Sequence, residues 1–149
     1  MTTETDSDIG AWMNAAFEAA RASPNRVRQV GAVLVAADGT GITACNTYPE
    51  GVRDLEERHL GDGRFVWMEH AERNAIFEAA RRGVATEGGH ITSTFFPCID
   101  CARAIVRSGI RRLDTFPPAY EDPVWGEAFR RSRVILEEGG VEMRFVAAG

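Results

Sequence analysis

Four side chains in this sequence have the types and spacing to hold a metal ion and to work beside it. His70 and Glu72 stand two apart, and Cys98 and Cys101 follow further on, three apart. One imidazole and two thiolates are borderline-to-soft donors that suit a tetrahedral Zn2+. They leave the fourth position open. Water at an open zinc position loses a proton near neutral pH and becomes a nucleophile, so the set reads as catalytic, with Glu72 as the neighbouring general acid and base. The alternative is a structural site closed by a fourth ligand, for which His59 and His90 are the other histidines available. That alternative gives Glu72 no task, and His59 and His90 read more simply as a loop and a strand-start histidine.

The spacing also says which elements must carry these groups. Two residues apart on the middle of a helix, His70 and Glu72 would point well away from each other, so they must act at a helix end. A helix over residues 69–82 meets this, with Ala71, Ala75, Ile76, Ala79 and Ala80 on its buried side and Gly83 to close it. Pro97 suits a helix entry, and a helix from Cys98 to about Ser108 buries Ile99, Ala102, Ile105 and Val106 before Gly109 stops it. Both cysteines then lie at a positive helix end, which favours the ligating thiolate.

Elsewhere, helical spacing predicts an amphipathic helix over residues 8–22, capped by Ser7 or Asp8, and a last helix over 123–138. Trp12, Phe17, Trp125 and Phe129 fall on apolar helix faces and read as core or subunit interface. Strands are predicted at 30–36, 41–46, 90–95, 112–116 and 141–146. Residues 47–68 show little periodicity and read as a substrate loop, in which Phe65 and Trp67 are candidates to wall a pocket. Cys45 reads as a buried small hydrophobe. The order α-β-β-α-β-α-β-α-β predicts an α/β fold, a three-layer α-β-α sandwich around a five-stranded mixed sheet, in one domain over residues 1–149.

The composition, 44% hydrophobic and 26% charged in 149 residues, is that of a globular chain. No run is long and apolar enough for a membrane span, and the acidic first eight residues lack the basic and apolar regions of a secretory signal. A cytoplasmic protein without a membrane partner is expected. Three cysteines, two in a C-x-x-C pair, fit metal binding better than a disulfide framework. A net charge of −5 disfavours binding along a long nucleic acid and favours a small substrate, while local arginine clusters still permit a phosphate pocket.

H-A-E at residues 70–72 followed by P-C-x-x-C at 97–101 resembles the signature of zinc-dependent nucleobase deaminases. The chain is similar to the cytidine and deoxycytidylate deaminase superfamily over nearly its whole length, most of all to the CMP/dCMP deaminase branch. The likeness includes residues 29–35 (QVGAVLV), Asn46 ahead of Tyr48 and Pro49, residues 53–58 (RDLEER), residues 97–105 and residues 108–110 (SGI). It implies a five-stranded sheet with two zinc-bearing helices on one side, Zn2+ on His70, Cys98 and Cys101, and Glu72 as proton shuttle. It also implies that Asn46 bonds the sugar or base, that the Ala71 amide recognises the ring carbonyl, and that a carbonyl of Phe95 or Phe96 holds the leaving amine. The implied substrate is a cytosine nucleotide, dCMP or CMP, with free base, nucleoside, guanine or tRNA adenosine as alternatives, and the implied assembly is a homo-oligomer. An inactive zinc-stabilised binding domain is the reading outside enzymology. Two departures concern specificity. The S-x-D-P-S-T loop of dCMP deaminases, which helps bind the 5′-phosphate, is replaced by residues 23–28 (SPNRVR), making Arg26 and Arg28 candidate phosphate binders. The usual G-x-N-G-x-P is replaced by residues 44–49 (ACNTYP), placing Thr47 and Tyr48 at the expected rim.

Overall fold

The run around residue 33 is apolar on both faces and so takes an inner place in a sheet, beside the buried segment around residue 91. In the computed structural model of the protein, which describes residues 6–147, five strands pair in the order β2-β1-β3-β4-β5. They are β1 (Gly31–Val35), β2 (Gly41–Cys45), β3 (His90–Ser93), β4 (Arg112–Thr115) and β5 (Glu142–Phe145). β1 is antiparallel to both β2 and β3, whereas β3, β4 and β5 run parallel, so the sheet is mixed. The three-layer α/β arrangement expected from the pattern is what forms.

Its layers are unequal. Helix α1 (Asp6–Ala20) covers one face, where Met13 and Ala16 meet Val33 and Val35. The contact is close: a Cβ on Gly31 would lie 1.8 Å from the Ala16 carbonyl oxygen, so no larger residue fits there. The opposite face carries α3 (Ala71–Arg82), α4 (Ile99–Arg107) and α5 (Gly126–Glu138), around a core that includes Leu34, Ile42, Ala75, Ile91, Ile105, Leu113 and Leu136. Alternation along β1 explains this division, since odd positions face α1 and even positions face the other helices.

Several boundaries differ from the sequence reading, among them that of the last helix, expected from residue 123 and beginning at Gly126. The helix expected from residue 69 begins at Ala71, because His70 keeps extended backbone and takes the capping position. Residues 47–68 are not a bare loop: a 3-10 turn over Glu56–His59 and a short helix, α2 (Gly63–Trp67), lie within them. α1 already includes positions 7 and 8, so Ser7 or Asp8 does not precede the helix as its cap, and any cap before Asp6 lies outside the described residues. Gly83, by contrast, closes α3 with φ of 70°, its N–H reaching the carbonyls of Ala79 and Ala80. Among the described residues no helix is long and apolar enough to cross a membrane.

Candidate active site

The N-terminal ends of α3 and α4 face each other over the sheet, and the chemistry-bearing residues sit at those ends. His70 immediately precedes α3 and Cys98 immediately precedes α4, both in extended backbone, with ψ of 153° and 173°. Cys101 lies in the first turn of α4, and its N–H points at Cys98 Sγ across 3.5 Å. His70 Nδ1 is 3.3 Å from Cys98 Sγ and 3.5 Å from Cys101 Sγ. Tetrahedral Zn2+ with bonds of about 2.3 Å to sulfur and about 2.0 Å to nitrogen would set nitrogen and sulfur about 3.6 Å apart. The donor set therefore fits zinc in chemistry and in size. Among the described residues neither His59 nor His90 joins this group.

The two thiols are also coupled to each other. A hydrogen bond with Cys101 holds the Cys98 thiol far below its ordinary range, helped by His70, while that shared bond and then burial push Cys101 up. The hydrogen bond to Cys98 also raises the His70 imidazole, against burial. Arg73 stands beside the set, paired with Glu69 at 2.5 Å and reaching Asp100 at 3.8 Å.

Glu72 projects from the first turn of α3 and is 4% exposed. Burial pushes its carboxyl upward, opposed by hydrogen bonds from Ser93 and Cys101. A carboxyl group shielded from water beside a metal site holds its proton more readily than an exposed one and is suited to take and return one.

These residues form the floor of a cavity of about 380 Å³, with Cys101 fully buried behind the lining. His70, Ala71, Glu72 and Cys98 line it, together with Asn46, Phe95, Phe96 and Arg28 from the substrate-contact candidates. The Ala71 N–H is at the start of α3, where the helix itself supplies no acceptor. Asn46 is largely spoken for: its Oδ1 accepts from Val30 N–H at 2.8 Å and its Nδ2 donates to the Arg28 carbonyl at 2.9 Å. It thereby fixes the segment that carries Arg28, whose guanidinium lies 3.9 Å over the Phe95 ring.

Four expected substrate-side residues lie outside the cavity lining, Thr47 being held in a backbone bridge with Glu69. Arg26 points away into a two-bond ion pair with Glu56, at 2.9 and 2.6 Å. Tyr48 is turned inward, its hydroxyl 3.2 Å from His59 Nε2, which also contacts Asp54. Trp67 is stacked under Arg58 at 3.8 Å. Helix α2 explains why Phe65 faces the cavity and Trp67 does not, since two residues apart on a helix differ by about 200° in direction. Cys45 is only half-buried and has no part in the metal set.

Sequence reasoning missed Arg64, Trp125 and Phe129 as lining residues. The missing signal for Arg64 was α2 itself. Trp125 is the capping residue just before α5 and Phe129 lies in its first turn; both reach the cavity, where Phe129 packs edge-on against Phe95 and Phe96 at 5.9 and 6.0 Å.

Comparison with known proteins agrees with this geometry. Residues 6–116 match the family described as the cytidine and deoxycytidylate deaminase zinc-binding region. An uncharacterized deaminase in the luxG 3′ region of Aliivibrio fischeri is 32% identical over 144 residues, which is 93% of this chain and 95% of that one. The deoxycytidylate deaminase of Enterobacteria phage T2 is 42% identical over 67 residues, but these span 44% of this chain and 35% of the phage protein. Among solved structures, dCMP deaminase from cyanophage S-TIM5 in complex with dCMP and dUMP superposes with a TM-score of 0.78 at 22% identity, covering 97% of this chain and all of that one. With its His/Cys/Cys set and buried Glu72, the chain belongs to the cytidine and deoxycytidylate deaminase family and is a zinc-dependent hydrolytic deaminase.

Proposed function

We propose that the chain deaminates a cytosine mononucleotide, dCMP or CMP, to its uracil counterpart with release of ammonia. The observation that carries this reading is the pairing, in one cavity, of a buried Glu72 at a His/Cys/Cys floor with two arginines at the wall, Arg28 and Arg64. Neither arginine has a carboxylate ion-pair partner within 4.0 Å among the described residues; each lies over an aromatic ring, Phe95 and Phe65 respectively. Guanidinium groups held in this way remain available to a phosphate, whose oxygens match their paired donors. The deoxycytidylate deaminases among the relatives point to the same substrate class.

Bound at His70, Cys98 and Cys101, Zn2+ supplies Lewis acidity that makes water nucleophilic at neutral pH. Glu72 accepts one proton from the attacking water and passes it to the ring nitrogen, then takes the second from the new hydroxyl on the ring carbon and delivers it to the amine, which leaves as ammonia. In this reading the Ala71 N–H holds the ring carbonyl and the Phe95 or Phe96 carbonyl holds the amine. Phe95, Phe129 and Trp125 present ring faces and edges against which a flat base packs. In this reading Arg28, rather than Arg26, carries the phosphate together with Arg64. The enzyme is further read as a cytoplasmic homo-oligomer.

Ammonia release by zinc-loaded protein, measured with cytosine, cytidine, deoxycytidine, CMP, dCMP and guanine, tests the proposal. Turnover of the monophosphates but not of their nucleosides is the expected result. Equal or faster turnover of cytosine, a nucleoside or guanine overturns the nucleotide assignment.

A further inference from the structure

Ser93 is the last residue of β3, at the centre of the sheet, and is completely buried. Along β3, Ile91 and Ser93 face α3, and Ser93 occupies the point where the strand passes beneath the first turn of that helix. Its hydroxyl donates to Glu72 Oε1 at 2.5 Å and lies 2.8 Å from the Phe95 carbonyl oxygen. It also stands 3.4 Å from the Phe95 N–H, as acceptor. A serine hydroxyl has one proton to give, so its two acceptors share one donor.

We propose that Ser93 is a positioning residue for deamination, holding one oxygen of the Glu72 carboxylate so that the other faces the reacting atoms. A buried carboxylate without such a donor is free to rotate about its last torsion, whose energy wells are broad. Fixing Oε1 removes that freedom and places proton transfer in one geometry. Because the same hydroxyl reaches the Phe95 carbonyl, it also ties the orientation of Glu72 to the backbone that walls the cavity. This role rests on the acid–base reading of Glu72 given above.

The purely architectural alternative is that Ser93 only shapes the turn after β3 by meeting Phe95 N–H. The test compares zinc-loaded wild type, Ser93→Ala, Ser93→Thr, Glu72→Gln and the Ser93→Ala/Glu72→Gln double variant, with dCMP as substrate. Ser93→Ala is expected to lower kcat by about 10- to 100-fold while KM stays within about twofold and zinc content is unchanged. Ser93→Thr, which keeps the hydroxyl and suits a strand, is expected to recover most of the rate. In the Glu72→Gln background, Ser93→Ala should cost nothing further. A readout free of turnover is the infrared difference between wild type and Ser93→Ala, which should contain a carboxyl band shift that is absent when both carry Glu72→Gln.

Wild-type kcat in Ser93→Ala, full additivity of the two substitutions, or no carboxyl band shift overturns the proposal. If Glu72→Gln itself retains turnover, the acid–base reading fails and the Ser93 role falls with it. If Glu72→Gln is inactive and Ser93→Ala is not, the role of Ser93 alone fails.

Discussion

The floor and the rim of the cavity are built in different ways. At the floor, His70, Glu72, Cys98 and Cys101 project from the starts of two helices packed on the sheet, and Ala71, Glu72 and Cys101 are buried. At the rim, Val27, Phe65 and Trp125 are 68%, 54% and 49% exposed and come from three separate segments. Helix starts that rest on a close-packed core cannot shift without breaking backbone hydrogen bonds and packing together. Rim side chains move by rotation alone. The difference teaches that the reaction is set by rigid elements, whereas what the cavity admits is set by side chains that can exchange without disturbing the fold.

The sharpest way to break that comparison is at the floor. Cys101→Ala should abolish zinc retention and turnover and lower the melting temperature of the metal-loaded protein, because metal bound only to the native state adds its binding free energy to folding. Chelation of the wild type should do the same reversibly. Retained stoichiometric zinc in Cys101→Ala, by metal analysis, would contradict the assigned ligands. Next in size, Glu72→Gln should reduce kcat by about a thousandfold with zinc still bound.

Acid should act on the floor and spare the rim. The His70 imidazole and Cys101 thiol have raised proton affinity in the metal-free site, so protons compete with metal as pH falls. Zinc affinity should therefore be weaker at about pH 6 than at about pH 8, and competition with a chromophoric chelator measures it. An affinity that rises on acidification would reverse the sign and reject this account.

At the rim the effects should be smaller and confined to binding. Arg28→Ala or Arg64→Ala should raise KM for dCMP by about tenfold, the scale of one charged hydrogen bond, with kcat nearly unchanged and stability intact. A fall in kcat instead would mean that these arginines act on the reacting centre. Smallest of all, Arg26→Ala should leave kcat and KM within about twofold and the melting temperature nearly unchanged, since its ion pair with Glu56 is exposed.

Residue type and spacing determined the floor from sequence alone. Two thiols at the entry of one helix and a histidine with a nearby glutamate at the entry of another are local patterns, and local hydrogen bonding and helix periodicity bring each pair to a helix end without long-range information. The alternation of strands and helices likewise determined the mixed five-stranded sheet and its layers. Only the tertiary structure decided the rim. Arg26 and Arg28 are alike in sequence, yet Glu56, 30 positions from Arg26, draws that arginine away from the cavity while Phe95 draws Arg28 toward it. Trp67 and Tyr48 are turned toward Arg58 and His59, and Trp125 is brought to the mouth by the approach of α5 to the sheet. Ser93 reads as an ordinary strand residue until β3 passes under α3 and sets its hydroxyl against Glu72. Such contacts join residues far apart in the chain, so they follow from how the elements pack and not from any pattern within one of them.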